Sequence, residues 1–400
     1  MNLIIPKKAE EILQKLNNKN FDAYIVGGCV RDCLLKRVPQ DWDITTSAEP
    51  YQVKKIFNKT YDTGLQHGTV TVCWKGEHYE VTTYRIDKEY DDCRHPNEVI
   101  FTKSLKEDLQ RRDFTINAMA YHPNEGIKDY FLGQEDLNQK VIRGVGNPEE
   151  RFQEDALRML RALRFSAQLG FEIEKNTYEA LKQQKNLIQK ISVERIHDEL
   201  EKILLSQYLE KINKIWESGL LNELSPLLSE QMKIYGESVI NQLKKAPFDR
   251  IIRWTIFLQY MTAKQGEEFL KYLKFDNDTI KRVTVLLKNL KCDIALEEYA
   301  LRKKANEINI EQLQNLLLIQ EIQQKENIEI LKKYFYTILQ RGDCITLKTL
   351  AVTGEDLIKQ GMKKGKEVGN MLSFLLDIVH RNPEKNKNEI LIDIVKQKLK

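Results

Sequence analysis

A glycine pair followed at short range by two aspartates constrains this chain more than any other stretch. The string runs Gly27-Gly28-Cys29-Val30-Arg31-Asp32 and then Asp41-Trp42-Asp43-Ile44. Without a Cβ, the glycines let backbone amides approach a polyanion. Arg31 can fork onto phosphate oxygens. Phe21 to Val26 reads as a short apolar strand leading in. Residues 30–36 read as a helix whose N-terminus points at the glycines, where a phosphate is stabilised. Asp41 to Thr45 reads as a strand, and period-two geometry sets Asp41 and Asp43 on one face. Carboxylates that close repel unless a cation sits between them, and carboxylate plus phosphate oxygens is the ligand set of Mg²⁺. Either half alone is satisfied by a tight turn or by two solvated acids on an edge strand. Together, at this spacing, they describe a site for phosphoryl or nucleotidyl transfer.

The 400 residues allow two to four domains with ample core. An apolar content of 42% and a charged content of 30% describe an ordinary soluble protein. No apolar run reaches the ~18 residues of a membrane span. Met1 to Lys8 lacks a signal-peptide pattern. The six cysteines are scattered without a Cys-x-x-Cys, which reads as reduced thiols in the cytoplasm. The net charge of +4 is compatible with nucleic acid without arguing for it.

Along the chain, Ala9, Ile12, Leu13 and Leu16 give residues 6–18 a helical period. Tyr51 to Asn58 is helix-like, and Asp62 to Thr69 carries two glycines that mark a turn. Thr69 to Trp74 and His78 to Arg85 are β-rich and split by Lys75-Gly76-Glu77, a hairpin signal. Glu80 sits in the second of these strands. Beside the acidic strand it would be a third carboxylate of the metal site; a surface Glu paired with Lys fits the spacing equally. Residues 86–104 are polar and mixed in charge, which predicts a mobile loop. Leu109 to Met119 (Leu-Gln-Arg-Arg-Asp-Phe-Thr-Ile-Asn-Ala-Met) suggests a helix with a phosphate-facing end. Residues 129–150 read as loops and turns, and everything beyond reads as helix, with two helices over 301–341.

A second constellation is Glu154-Asp155-Ala156-Leu157-Arg158-Met159-Leu160-Arg161-Ala162-Leu163-Arg164. Ala156, Met159, Leu160 and Leu163 fall in one apolar stripe. Arg158, Arg161 and Arg164 step along the other side. A salt-bridged solvated face would produce such a pattern. Yet three arginines with no lysine favour planar, bidentate bonding. Farther on, Ser192 is a candidate helix cap before Val193-Glu194-Arg195. Lys359, Lys363, Lys364 and Lys366 near Gly361 and Gly365 offer backbone-phosphate contacts or a solvated face.

Five of these strings, from Gly27-Gly28-Cys29-Val30-Arg31-Asp32 to Ser192-Val193-Glu194-Arg195, resemble the ordered motifs of the class II tRNA nucleotidyltransferases. These are the bacterial CCA-adding enzymes and their poly(A) polymerase relatives. The match is strong over roughly residues 20–205; downstream only Leu350 to Leu357 matches. The resemblance implies an α+β architecture: a polymerase-β-like nucleotidyltransferase head with a small β-sheet (1–148), then an all-helical neck (149–206), body (207–300) and tail (301–400). It implies Asp41 and Asp43 as ligands of two Mg²⁺ ions, with Glu80 the further acidic candidate. Gly28 and Arg31 would contact the triphosphate and Arg112 the nucleotide. Asp155 and Arg158 would read the base edge, supported by Arg161 and Arg164. The implied partners are tRNA, CTP and ATP, in the cytoplasm, with no membrane and as a monomer or homodimer. Lys36 stands where the family often has Gly, and Cys29 where Ala is common. The dipeptide His197-Asp198 lacks the further ligands of a metal phosphohydrolase.

The chemistry of the pair agrees with that role. Ionised Asp only accepts and Arg only donates. Cytosine and adenine both set an exocyclic amine beside a ring-nitrogen acceptor. Asp155 can accept from the amine while Arg158 donates to the ring nitrogen. Uracil and guanine invert both contacts, and a buried unpaired polar group costs roughly 1–3 kcal/mol. A C-to-A switch needs a small rearrangement, for which the 86–104 stretch is the candidate. The rivals are a CC-adding or A-adding enzyme, a poly(A) polymerase and, from another class, a non-catalytic RNA-binding module. A binding module has no need of the acid pair.

Overall fold

The structure is a computed structural model that describes residues 3–90 and 96–399. The chain divides into two compact units, Met1–Ile240 and Asn241–Lys400. Among the described residues, no helix is long and apolar enough to cross a membrane.

The first unit opens with α1 (Lys7–Asn17), β1 (Ala23–Val26), α2 (Gly28–Leu34), β2 (Ile44–Thr46) and α3 (Pro50–Ile56). Next come β3 (Thr60–Gly64), β4 (Thr69–Trp74), β5 (Glu77–Thr83), β6 (Arg85–Tyr90) and β7 (Pro96–Phe101). Then follow α4 (Leu105–Gln110), β8 (Met119–His122), β9 (Gly126–Asp129), α5 (Gly133–Gln139) and β10 (Val141–Ile142). Helices α6 (Pro148–Glu154), α7 (Leu157–Leu169), α8 (Lys175–Gln184) and α9 (Val193–Leu204) complete the part that builds the site, with β11 (Glu172–Ile173) between α7 and α8.

Seven strands form one mixed sheet in the order β3-β4-β5-β2-β1-β8-β9. Strand β1 is central and buried at all four residues, as a strand covered on both faces should be. Helix α1 packs on it and buries the four apolar residues that its period singles out, Ala9, Ile12, Leu13 and Leu16. On β1, Tyr24 and Val26 join a core with Leu105, Leu109, Ala118 and Ala120. Strands β2 and β5 are parallel, with Ile44 beside Val81; β4 and β5 form the expected antiparallel hairpin.

Several expectations change. The acidic strand starts only at Ile44, so Asp41 and Asp43 lie on the extended lead-in to β2. The stretch expected as a loop at 86–104 contains an antiparallel ribbon of β6 and β7; residues 91–95 lie outside the described residues. The helix expected over 109–119 is instead the end of α4, a 3₁₀ turn at Thr115–Asn117 and strand β8. Pairing with β1 on one side and β9 on the other decides this, because a sheet position overrides even the high helix propensity of Ala and Met. Strand β3 pairs with β4 where a turn was expected, and 129–150 includes α5 and β10. Ser192 occupies the cap position of α9, but its side chain makes no cap hydrogen bond.

The second unit is helical. Residues 301–341 fall in three helices, Glu298–Ile308, Ile310–Ile322 and Ile328–Arg341, not two. Asn309, which breaks the first from the second, has φ of 70° and caps the second through its side chain. Leu357, Leu375, Val379, Leu391 and Val395 form a core at the C-terminal end. Thr353 caps the helix Gly354–Lys359, as the loop-then-helix reading of that stretch requires.

Candidate active site

Two recesses meet at Asp43. One, of about 730 Å³, is lined by Asp41, Asp43 and Glu80 together with Tyr61, Thr71 and His78. The other, of about 450 Å³, is lined by Gly27, Gly28, Arg31, Arg112, Asp155, Arg158, Arg161 and Arg164 as well as Asp43. Every candidate catalytic or nucleotide-binding residue of the first unit therefore lines one recess or the other, whereas Lys359, Lys363, Lys364 and Lys366 line neither.

The acidic side follows from strand register. Ile44 lies beside Val81 in the parallel β2–β5 pair. One residue earlier, Asp43 falls alongside Glu80, on the face opposite the buried Ile44 and Val81. Asp41, Asp43 and Glu80 all reach solvent. Asp43 nonetheless has protein crowded round it. That partial burial, reinforced by the charges of Glu80 and Asp41, lifts its carboxyl above the usual range; Arg112 pulls the other way. Such repulsion is what a cation would relieve. Among the described residues no three His, Cys, Asp or Glu side chains converge as a ready metal-binding group. Glu80 thus stands within electrostatic reach of Asp43 without closing a three-carboxylate cage. The donor set fits a hard cation that takes its remaining oxygens from phosphate and water.

On the basic side, Gly27 leaves β1 with φ of 86° and ψ of −133°, a region essentially confined to glycine. A Cβ there would sit 3.0 Å from Arg112 Nη1. The glycine thus clears space for an arginine to lie against the backbone turn. Arg31 donates to Asn117 Oδ1 at 2.8 Å and forks onto the Asp32 carboxylate. Fully buried Asp108 on α4 holds Arg111 through Nη2 at 2.7 Å and Arg112 more loosely at 3.5 Å. Arg112 Nε is buried without a hydrogen-bond partner.

The arginines of α7 are not a solvated face. Arg161 forks onto Asp113, with Nε and Nη2 at 2.8 and 2.6 Å from Oδ2. Arg164 Nε donates to Glu199 at 2.5 Å, and its guanidinium lies 4.1 Å from the Phe165 ring centre. Arg158 donates to Glu154 at 2.6 Å and to the carbonyls of Arg151 and Arg111 at 3.1 and 2.9 Å. Asp155 is clasped by Arg195 from α9, at 2.8 and 3.3 Å. Asp155 and Arg158 therefore share a recess but do not pair with each other. Burial would push the Asp113 carboxyl up, but Arg161 and the Asn117 amide outweigh it and hold it at about 2.

Sequence reading gave no role to Asn117, Asp113 or Arg195, although all three stand in the quoted strings. It also passed over Tyr61 and His78. For His78 the signal was the alternation of β5, where Tyr79 and Val81 are buried while His78 and Glu80 face the recess; Tyr61, on β3, left no such signal.

Known proteins share this build. A model described as Poly A polymerase head domain matches residues 23–143. "Probable RNA and SrmB- binding site of polymerase A" matches 170–232, and a tRNA nucleotidyltransferase domain 2 model matches 249–395. The CCA-adding enzyme of Pediococcus pentosaceus is 39% identical over 97% of this chain and 96% of its own length. That of Enterococcus faecalis is 36% identical over 98% and 96%. The crystal structure of the Bacillus stearothermophilus CCA-adding enzyme in complex with CTP superposes with a TM-score of 0.81 at 32% identity, covering 99% of each chain. Nucleotidyltransferases of this kind use a divalent metal, and the acid pair before β2 supplies the oxygens for one. With near full-length identity added to a shared fold, the chain belongs to the family of CCA-adding enzymes, which are tRNA nucleotidyltransferases.

Proposed function

We propose that this chain adds C, C and A to the 3′ end of tRNA without a nucleic-acid template, using CTP and ATP and releasing pyrophosphate. The observation that supports this most is the sharing of Asp43 between an acid-lined recess and an arginine-lined one. A triphosphate suits the arginines, and a hydroxyl to be activated suits the acids. Asp41 and Asp43 would hold Mg²⁺, with Glu80 adding negative charge beside them. When bound, the metal lowers the cost of charge on the attacking hydroxyl and the leaving pyrophosphate. The chain itself orients the reactants. The backbone amide of Gly28, with Arg31 and Arg112, steers the triphosphate so that the 3′-hydroxyl meets the α-phosphate, while the Gly27 amide is held by the Met119 carbonyl.

Donor arithmetic supports Asp155 and Arg158 as the base readers. A carboxylate offers about four lone-pair positions, of which Arg195 takes two and the Leu157 amide a third. An amine of C or A can use another. Of the five donors of Arg158, three are spent on Glu154, Arg151 and Arg111. The rest can meet a ring nitrogen. Arg161 and Arg164, anchored on Asp113 and Glu199, keep α7 in place. The head would end near residue 148, the neck near 206 and the body near 300, leaving 301–400 as a tRNA-binding tail. Work in the cytoplasm agrees with the free thiols of Cys29, Cys33, Cys73, Cys292 and Cys344.

The test is transfer of labelled CTP or ATP onto tRNAs ending before the first C, after one C and after two. The expected products all end in CCA and grow no further, and Asp43→Ala gives none while still binding tRNA. Products that stop at CC, that gain A only, or that extend into an A tract would overturn the reading in favour of one rival. Retained turnover in Asp43→Ala would remove the metal assignment.

A further inference from the structure

The larger recess has a composition that the nucleotide-binding residues do not explain. Its wall is one face of the sheet. Thr71 pairs with Glu80 and Cys73 with His78 across β4 and β5. Tyr61 pairs with Thr71 across β3 and β4. Residues opposite one another share a face, so Tyr61, Thr71, His78, Glu80 and Asp43 form one polar surface above a buried apolar one. Tyr61 is 45% exposed, large for an aromatic on a sheet. Its ring meets that of His78 edge to face, with centres 5.8 Å apart. Thr63 and Thr71 hydroxyls lie 2.8 Å apart beside them.

Charge decides what can enter. Among the described residues no Lys or Arg lines this recess, while Asp41, Asp43, Glu77 and Glu80 do. Away from the cation-holding pair Asp41 and Asp43, Glu77 and Glu80 repel a triphosphate. A base and a ribose carry no charge and are not repelled. The volume of about 730 Å³ lies within the roughly 300–1,000 Å³ of pockets that enclose a small molecule. Position agrees, because an attacking hydroxyl and a leaving group must lie in line on either side of the transferred phosphorus. A nucleotide on the arginine side of Asp43 therefore needs its acceptor on the acid side.

We propose that this recess seats the 3′-terminal nucleotide of the RNA acceptor, with Tyr61 and His78 as a stacking wall. The proposal rests on the nucleotidyl-transfer reading above. A stacking wall suits an end whose identity changes with each addition, because every base has a π-face and stacking tolerates sequence. A set of fixed base-edge donors would not.

Two measurements test it. The first is steady-state kinetics of Tyr61→Ala and Tyr61→Phe with tRNA lacking its CCA end. Loss of one stacked base should raise KM for tRNA about 10-fold in Tyr61→Ala, leave KM for CTP within about twofold, and spare Tyr61→Phe. The second uses an acceptor-stem RNA with 2-aminopurine as its 3′-terminal base, bound in EDTA. Quenching by the wild type and not by Tyr61→Ala supports the seat without any turnover. Unchanged tRNA KM and quenching in Tyr61→Ala, or a rise in the CTP KM instead, overturns it. Failure of stacking with CCA addition intact sinks the seat alone; quenching with no nucleotide transfer by the wild type sinks the reaction instead.

Discussion

Asp113 combines burial, charge and partners in one side chain. It is 8% exposed and accepts from Arg161, Asn117 and the Phe114 amide. Burial alone would raise its pKa; the arginine, foremost, and the amide take it to about 2. A carboxyl whose pKa is depressed on folding stabilises the fold above its unfolded value near 3.9 and loses that contribution as pH falls through the folded value. A shift of this size is worth about 2 kcal/mol. Asp113→Asn is therefore expected to lower the urea midpoint at neutral pH, with the gap to wild type closing as pH falls from about 4 toward 2. A gap that stays constant through that window would mean that Asp113 acts by shape and not by charge. None of this was visible locally. Asp113 and Arg161 are 48 residues apart, and Asp155 and Arg195 are 40 apart. Sequence spacing named the arginines of α7 but could not name their partners.

At the scale of elements, the turn from β1 into α2 positions the basic recess. Its legibility came from Gly27-Gly28, since few other residues tolerate φ of 86° with ψ of −133°. Gly27→Ala adds strain of order 1–3 kcal/mol and a methyl 3.0 Å from Arg112 Nη1. The expected outcome is a lower melting temperature and a raised KM for ATP and CTP together. If thermal melts and both KM values match wild type, the turn does not set Arg112. Helix α1 was equally legible, because its apolar period matches the face it buries. Strand β8 was not. Its apolar run has no alternation, being covered on both faces, and such a run cannot be told from a buried helix by period alone. The same limit hid the ribbon of β6 and β7, whose residues are polar and read as loop. Strand β3 was hidden by the glycines at its end.

For the molecule as a whole, the order of motifs foretold a sheet-bearing head followed only by helices, apart from the two-residue pairing of β10 with β11. The second unit was less legible, because buried arginine and not apolar period organises part of it. Arg302, 2% exposed, binds Asp343 at 2.8 Å, the His380 carbonyl at 2.7 Å and Glu298, and so joins three segments. Within the first unit, what unites the lead-in to β2 with the start of α7 is a single cavity wall, since Asp43, Asp155 and Arg158 line it together. The proposed selection of C and A by Asp155 and Arg158 depends on that proximity. The most direct measurement is incorporation of each of the four nucleoside triphosphates by Asp155→Ala/Arg158→Ala. With mismatched contacts worth roughly 1–3 kcal/mol each, the preference for CTP and ATP over UTP and GTP should fall by at least about tenfold while some transfer persists. A double variant that still transfers nucleotides and still refuses UTP and GTP as wild type does would contradict the assignment of base reading to this pair.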